Sequence, residues 1–276
     1  MISVVMSLKE RLLNNMNKPT AEQSARQIVG AILDPFLQQN YASLEAIEHL
    51  SIHNDQVHVK LKLGYSAASI APKVTLNVKA KLQAAGFVDP HVEVVSDIFP
   101  CPGQSGVGHL KHIKNVITVA SGKGGVGKST TAVNLALALH AEGAKVGILD
   151  ADISGPSIPV MFGAEDMQPL VQEVNGKNRI QPINQYGIKL ISMGFLAPSD
   201  SPVPWRGPMM TQALRQFFGD TNWEELDYLL IDLPPGTSDI HLTLVQLIKL
   251  TGAVIVTTPQ KVALSDATKG LQFFKQ

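Results

Sequence analysis

Gly122-Lys123-Gly124-Gly125-Val126-Gly127-Lys128-Ser129-Thr130 decides how the longer part of this chain is read. It fits the P-loop pattern G-x-x-x-x-G-K-[ST], with a second lysine, Lys123, directly after the first glycine. The segment ahead of it, Asn115-Val-Ile-Thr-Val-Ala-Ser121, is β-branched and apolar and predicts a buried strand. The segment behind it, Thr131-Ala-Val-Asn-Leu-Ala-Leu-Ala-Leu-His140, predicts a helix that opens at the loop. Strand, glycine loop and helix N-terminus together make a phosphate cradle. Glycines let successive backbone N–H groups turn inward, and the helix dipole favours an anion there. Lys128 would add charge at the β/γ-phosphates of a triphosphate, and the Ser129 hydroxyl can ligate Mg²⁺. A glycine turn with no ligand is the competing reading, and the flanking strand and helix argue against it. Lys123 taken alone reads as a solvated loop charge.

Two further runs end in acids. Val146-Gly-Ile-Leu149 is a continuous apolar run followed by Asp150-Ala-Asp152-Ile-Ser-Gly-Pro-Ser157, and Tyr228-Leu-Leu-Ile231 is followed by Asp232-Leu-Pro-Pro-Gly236-Thr-Ser-Asp239. Ala253-Val-Ile-Val256 is a third such run. Strands buried on both faces look like this, and with helical segments between them they predict an α/β domain with a mostly parallel sheet. Ligands of open parallel sheets bind at the carboxyl ends of strands. Asp152 is therefore the candidate for orienting an attacking water. Asp150 and Asp232 are candidates for holding Mg²⁺, which accepts few carboxylates plus water and phosphate oxygens. Gly236 could offer its N–H to the γ-phosphate. The alternatives are turn-capping aspartates and a plain Pro-Gly turn. Trp205-Arg-Gly-Pro-Met-Met210 reads as a packing loop.

The first hundred residues have a different texture. Ala21 to Leu33 is helically spaced and ended by Asp34-Pro35. Val57-His-Val-Lys-Leu-Lys-Leu63 alternates, which predicts a half-buried strand; Ile70 to Ala84 returns to helical spacing before Gly86; His91-Val-Glu-Val-Val95 is a short strand. The predicted order is helix, strand, strand, helix, strand. That gives a small α+β domain over 1–99, a Pro/Gly/Ser-rich linker over 100–110 and the P-loop domain over 111–276.

Composition narrows the function classes. The 276 residues are 45% hydrophobic with 23 basic and 23 acidic side chains, so no strong non-specific nucleic-acid or anionic-membrane surface is expected. A single cysteine, Cys101, excludes an internal disulfide framework and suits a reducing, cytoplasmic compartment. No signal peptide or apolar run of membrane-spanning length is visible. His53 and His58 fall on strand ends or faces. Cys101, His109 and His112 are a weak metal set, because structural zinc usually has four well-spaced ligands.

Taken together, these motifs resemble the deviant Walker A of the SIMIBI ATPases. Within that class, Asp150-Ala-Asp-Ile-Ser-Gly-Pro-Ser157, Trp205-Arg-Gly-Pro-Met209, Ile231-Asp-Leu-Pro-Pro-Gly-Thr-Ser-Asp239 and Thr257-Thr-Pro-Gln260 resemble the Mrp/ApbC iron–sulfur cluster carriers. The amino-terminal segment resembles the small FeS-assembly-type domain that often precedes that ATPase. The resemblance implies ATP and Mg²⁺ as ligands and a homodimer with ATP at its interface. It also implies that Lys123 reaches the partner's nucleotide, and that iron–sulfur assembly factors and apoprotein clients are the partners. Two departures stand out. Residues 64–69 lack the cysteine that related amino-terminal domains often carry. The family's Cys-x-x-Cys pair, which holds a cluster between two subunits, lies beyond the ATPase motifs, whereas this sequence ends at Phe273-Phe-Lys-Gln276. A carboxyl-terminal truncation is the expectation, with the iron–sulfur ligands absent from these residues. Two alternatives are a MinD/ParA-type positioning ATPase, which would need a membrane helix or a basic DNA surface, and a non-catalytic nucleotide-binding scaffold.

Overall fold

The computed structural model describes residues 20–54, 56–102, 112–153, 155–174, 176–196, 207–236 and 239–275. The chain divides into two compact units, Met1–Asp97 and Ile98–Gln276. Most of the expected linker, His109 included, lies outside the described residues; Cys101 belongs to the second unit, its N–H donating to Lys114.

In the first unit, helix α1 (Ala21–Gly30) starts at a reciprocal cap. The Gln23 N–H donates to the Thr20 hydroxyl, and the Thr20 N–H donates to the Gln23 side-chain oxygen. The helix ends three residues before Leu33. Leu33 instead bridges to Asn40, and the Asp34 carboxylate collects the N–H groups of Phe36 and Leu37, which turns the chain. Strands β1 (Ile47–His53) and β2 (Gln56–Leu63) pair antiparallel, helix α2 (Ala71–Ala84) crosses over, and β3 (His91–Ser96) returns parallel to β2. The sheet order is β1-β2-β3. The alternation along β2 sends Val57, Val59, Leu61 and Leu63 into one core with Val29, Val74, Val78 and Leu82.

The second unit is an α/β fold around a mostly parallel sheet. Its elements are β4 (Ile113–Ser121), α3 (Lys128–Ala141), β5 (Val146–Asp150), α4 (Ile158–Met161), β6 (Leu170–Val174), β7 (Lys177–Gln181), β8 (Ile183–Gln185), β9 (Ile188–Ser192), a 3₁₀ turn (Met193–Leu196), α5 (Gly207–Asp220), β10 (Leu226–Asp232), α6 (Asp239–Leu247), β11 (Gly252–Val256) and α7 (Lys261–Phe274). The six-stranded sheet runs β11-β4-β10-β5-β9-β8, with only β8 antiparallel. Successive strand residues alternate between two cores. Val116, Leu149, Leu229 and Ile231 pack with Leu214, Phe217 and Leu244 from α5 and α6. Val119, Ile148 and Leu230 pack with Ala132, Val133 and Ala136 from α3. Helices on both faces explain why the strands are continuous apolar runs.

Two further sequence expectations are corrected, and one element is added. Helix α3 begins at Lys128, not Thr131, because left-handed Gly127 (φ 89°) serves as its N-cap and accepts the Thr131 N–H. The expected packing loop is helical from Gly207 onward, since Gly207–Met210 open α5; Trp205 and Arg206 lie outside the described residues. The paired strands β6 and β7 were not anticipated. Leu170–Glu173 are exposed throughout, so no buried face marks the hairpin in the sequence. Among the described residues, no helix is long and apolar enough to cross a membrane.

Candidate functional site

The parallel register brings the site together. Asp232 pairs with Val119 on one side and with Asp150 on the other, so β10 and β5 end level while β4 runs two residues further, to Ser121, into the glycine loop. Gly125 (φ 77°) and Gly127 (φ 89°) hold left-handed conformations. A Cβ placed on Gly124, Gly125 or Gly127 would meet nothing within 4 Å, so the loop presents backbone to open space. Gly122 is glycine for another reason. A Cβ there would sit 2.6 Å from the Asp266 Cβ, since α7 presses on the loop. Ser121 Oγ donates to the Lys123 carbonyl at 2.8 Å and fixes the loop entrance. Lys123 and Thr130 are exposed, while Val126 and Ser129 are half-buried.

Lys128 occupies the first turn of α3 and points inward. Its Nζ lies 2.7 Å from Asp232 Oδ1, 3.2 Å from Ser129 Oγ and 3.9 Å from Asp152 Oδ2. Lys128 is 7% exposed, Asp152 8% and Asp232 0%. Asp152 Oδ1 and Asp232 Oδ2 are buried without a hydrogen-bond partner. Buried carboxylate oxygens are normally satisfied, so two orphans beside one lysine point to a cation or donor supplied from outside.

Asp150 is fully buried beside them and better supported. It accepts the Asp152 N–H (3.1 Å), the Ile158 N–H (3.3 Å) and the Ser192 hydroxyl (3.1 Å). Burial first, and then the charge of Asp232, push its carboxyl up to about 7, against the pull of those hydrogen bonds. Burial also raises Asp232, opposed chiefly by Lys128. Two carboxylates lie within 4 Å of one ammonium, with the Asp150 carboxyl buried beside them. Such an oxygen-rich, cation-poor set with the Ser129 hydroxyl fits Mg²⁺, and the open glycine loop beside it fits a phosphate chain.

Sequence expectation and geometry diverge at two residues. Gly236 was a candidate donor to the γ-phosphate, but its N–H is taken by the Ser121 carbonyl at 2.8 Å, which stitches the loop after β10 to the end of β4. Ser192 was missed. It ends β9 in register with Asp150, donates to Asp150 Oδ2 and accepts the Gly194 N–H at 3.0 Å. The signal available was the one used for Asp150 and Asp232: a polar residue closing an apolar strand. His112 directly precedes β4 and Cys101 is half-buried, while His109 lies outside the described residues.

Comparison with known proteins finds relatives for both units. A family model described as NUBPL iron-transfer P-loop NTPase matches residues 112–276, and one described as iron-sulfur cluster assembly protein matches residues 22–94. The iron-sulfur cluster carrier protein of Salmonella typhimurium is 42% identical over 275 residues, which cover 96% of this chain and 72% of that protein. The carrier protein of Aquifex aeolicus is 52% identical over 165 residues, covering 59% of this chain and 44% of its own. Among solved structures, a nucleotide-binding protein from Archaeoglobus fulgidus in complex with ADP is 42% identical with a TM-score of 0.50. That match covers 61% of this chain and 65% of the other. This chain thus spans less than two thirds of that solved relative.

Proposed function

The chain belongs to the NUBPL iron-transfer P-loop NTPase family, and on that premise we propose that it binds and hydrolyses ATP to assemble iron–sulfur clusters or transfer them to apoproteins. The observation that carries the reading is the buried Lys128–Asp232 pair, with orphaned oxygens on Asp232 and Asp152, directly below an open glycine loop. Backbone N–H groups of Gly122 to Thr130 take the phosphates. Lys128 leaves Asp232 for the β/γ-phosphates, a charge-assisted exchange that tells the site it is loaded. Ser129 and Asp232 are the residues that would hold Mg²⁺, with Asp150 as the supporting carboxylate behind them; the ion would supply neutralising charge to the phosphates. Asp152, whose second oxygen is unpartnered, orients water in line with the γ-phosphorus. Ser192 and the Ile158 N–H keep Asp150 aimed.

The exposed Lys123 is assigned to the nucleotide of a second copy in a homodimer, a role supported by the family resemblance and by its exposure. The small amino-terminal α+β domain is assigned to contacts with iron–sulfur assembly factors and client apoproteins. Holding the cluster is not assigned to these residues. A bridging [4Fe–4S] cluster takes four thiolates, and these 276 residues carry one cysteine.

Asp152→Asn tests the assignment of hydrolysis. It keeps side-chain size and loses the charge that directs water. ATP affinity should stay within a few-fold while turnover falls by roughly a decade or more. Unchanged turnover removes Asp152 from the mechanism. In mixtures of Asp152→Asn with Lys123→Ala protein, partial recovery of activity is expected if Lys123 acts across the dimer.

A further inference from the structure

The outer face of the amino-terminal sheet carries three imidazoles that nucleotide chemistry does not use. His53 ends β1, His58 lies on β2 and His91 opens β3. His58 and His91 are register partners, and His53 pairs with Gln56, two residues from His58. Ile52, Val57, Val59 and Val92, their neighbours in sequence, pack toward the core, so the rings stand on the opposite side. Ring centres are 5.5 Å apart for His58–His91 and 6.2 Å for His53–His58. The Gln56 amide donates to the Asp89 carbonyl (2.9 Å) and carboxylate (3.3 Å), which clips the start of β2 to the turn before β3.

These spacings have chemical content. Two imidazoles sharing a tetrahedral metal at N–metal distances of about 2.0–2.1 Å have ring centres roughly 5–5.5 Å apart. His58 already stands at that spacing from His91 and within an ångström of it from His53. Among the described residues no three such side chains are already placed to hold a metal ion, so these rings must turn before they share one. His53 and His91 are exposed, so turning their rings toward a shared ion disrupts no packing. Neutral imidazoles suit zinc, nickel, copper and iron(II), and discriminate against Mg²⁺ and Ca²⁺. We propose that His53, His58 and His91 form a three-imidazole site for a borderline divalent transition-metal ion, with water completing the coordination. Gln56 and Asp89 keep the strands in position behind the ligands.

Cobalt(II) is the probe, because its visible absorption reports nitrogen coordination and zinc(II) competes for the same geometry. Titrated into the whole chain without nucleotide, Co²⁺ should give one saturable set of bands that Zn²⁺ abolishes. His58→Gln should weaken binding by about tenfold or more, a loss seen even for residues behind a ligand. His53→Gln and His91→Gln should each weaken it too. His49→Gln is the control: its ring engages Ser51 Oγ, and binding should not change. These exposed or half-buried positions tolerate glutamine, and thermal melts verify folding. No saturable band, or a band that survives replacement of all three histidines, overturns the site. ATP titration of the same variants should be unchanged, so failure here leaves the nucleotide reading standing, and the reverse.

Discussion

The two units of this chain both bury aspartates, and they treat them differently. Asp34 in the amino-terminal unit is fully buried and fully used: one oxygen takes the N–H groups of Phe36 and Leu37, and the other takes the Tyr65 hydroxyl at 2.6 Å. Asp232 in the second unit is buried as deeply, yet only one of its oxygens is paired, with Lys128, and Asp152 beside it also has an orphan. A saturated buried carboxylate is a structural fastener. An unsaturated one, in a cluster with more carboxyls than cations, costs stability and is retained for a ligand. Exposure of the carboxylates does not distinguish these cases. Hydrogen-bond saturation does: it separates Asp34, and Asp150 in the second unit with its three donors, from Asp232 and Asp152.

The largest expected effect breaks the Lys128–Asp232 pair. Lys128→Met leaves a buried carboxylate without its cation and should cost about 3 kcal/mol of stability. Adding Asp232→Asn should restore most of that stability in chemical denaturation. ATP affinity should not return with it, because the phosphate contact is still gone. Recovery of both together would make the pair a plain structural ion pair.

Next comes the fastener. Asp34→Ala strands two N–H groups and a tyrosine hydroxyl, a loss of about 2 kcal/mol. Melting should show it in the amino-terminal unit alone, with ATP affinity unchanged. A nucleotide effect of comparable size would blur the contrast between the units.

The third effect is a pH dependence, read as a difference between two melting curves. Burial raises Asp150 from 3.8 to about 7 in the folded protein. The folded state therefore keeps a proton that the unfolded chain has released. Stability from this group is full below the unfolded value and declines as pH rises through about 4 to 7. Asp150→Asn should be flat over that window, so its melting temperature, measured without nucleotide, should gain on wild type from pH 5 to pH 7.5. Each kcal/mol corresponds to about 2–4 °C for a unit of this size. Parallel melting curves would place the Asp150 proton elsewhere.

How legible each region was follows from the same contrast. The glycine loop, Asp150 and Asp232 were readable because strand, loop and helix are contiguous and the acids close apolar runs. The pairing of Lys128 with Asp232 joins residues far apart in the chain, and only the sheet order β4-β10-β5 brings them together. Ser192 was hidden because Ile188–Ser192 is short and its helical and strand neighbours carry the stronger patterns. The β6–β7 pair left no trace because it buries no continuous face. Gly236 was misread for a local reason: sequence shows that a backbone N–H exists, not that a neighbouring strand has claimed it. In the first unit, the alternation of Val57 to Leu63 disclosed the sheet, but the histidines on its other face meet only through register.

The central claim is that the buried Lys128 cluster is a nucleotide-phosphate site. Equilibrium titration of the folded chain with a fluorescent ATP analogue and Mg²⁺ tests it most directly, comparing wild type, Asp232→Asn and the Lys128→Met/Asp232→Asn double variant. The account predicts saturable binding at one nucleotide per chain, weakened by one to two decades when Lys128 is lost, or about 2–3 kcal/mol. Equal affinities for Asp232→Asn and the double variant, or no saturable binding to the folded wild type, would contradict it.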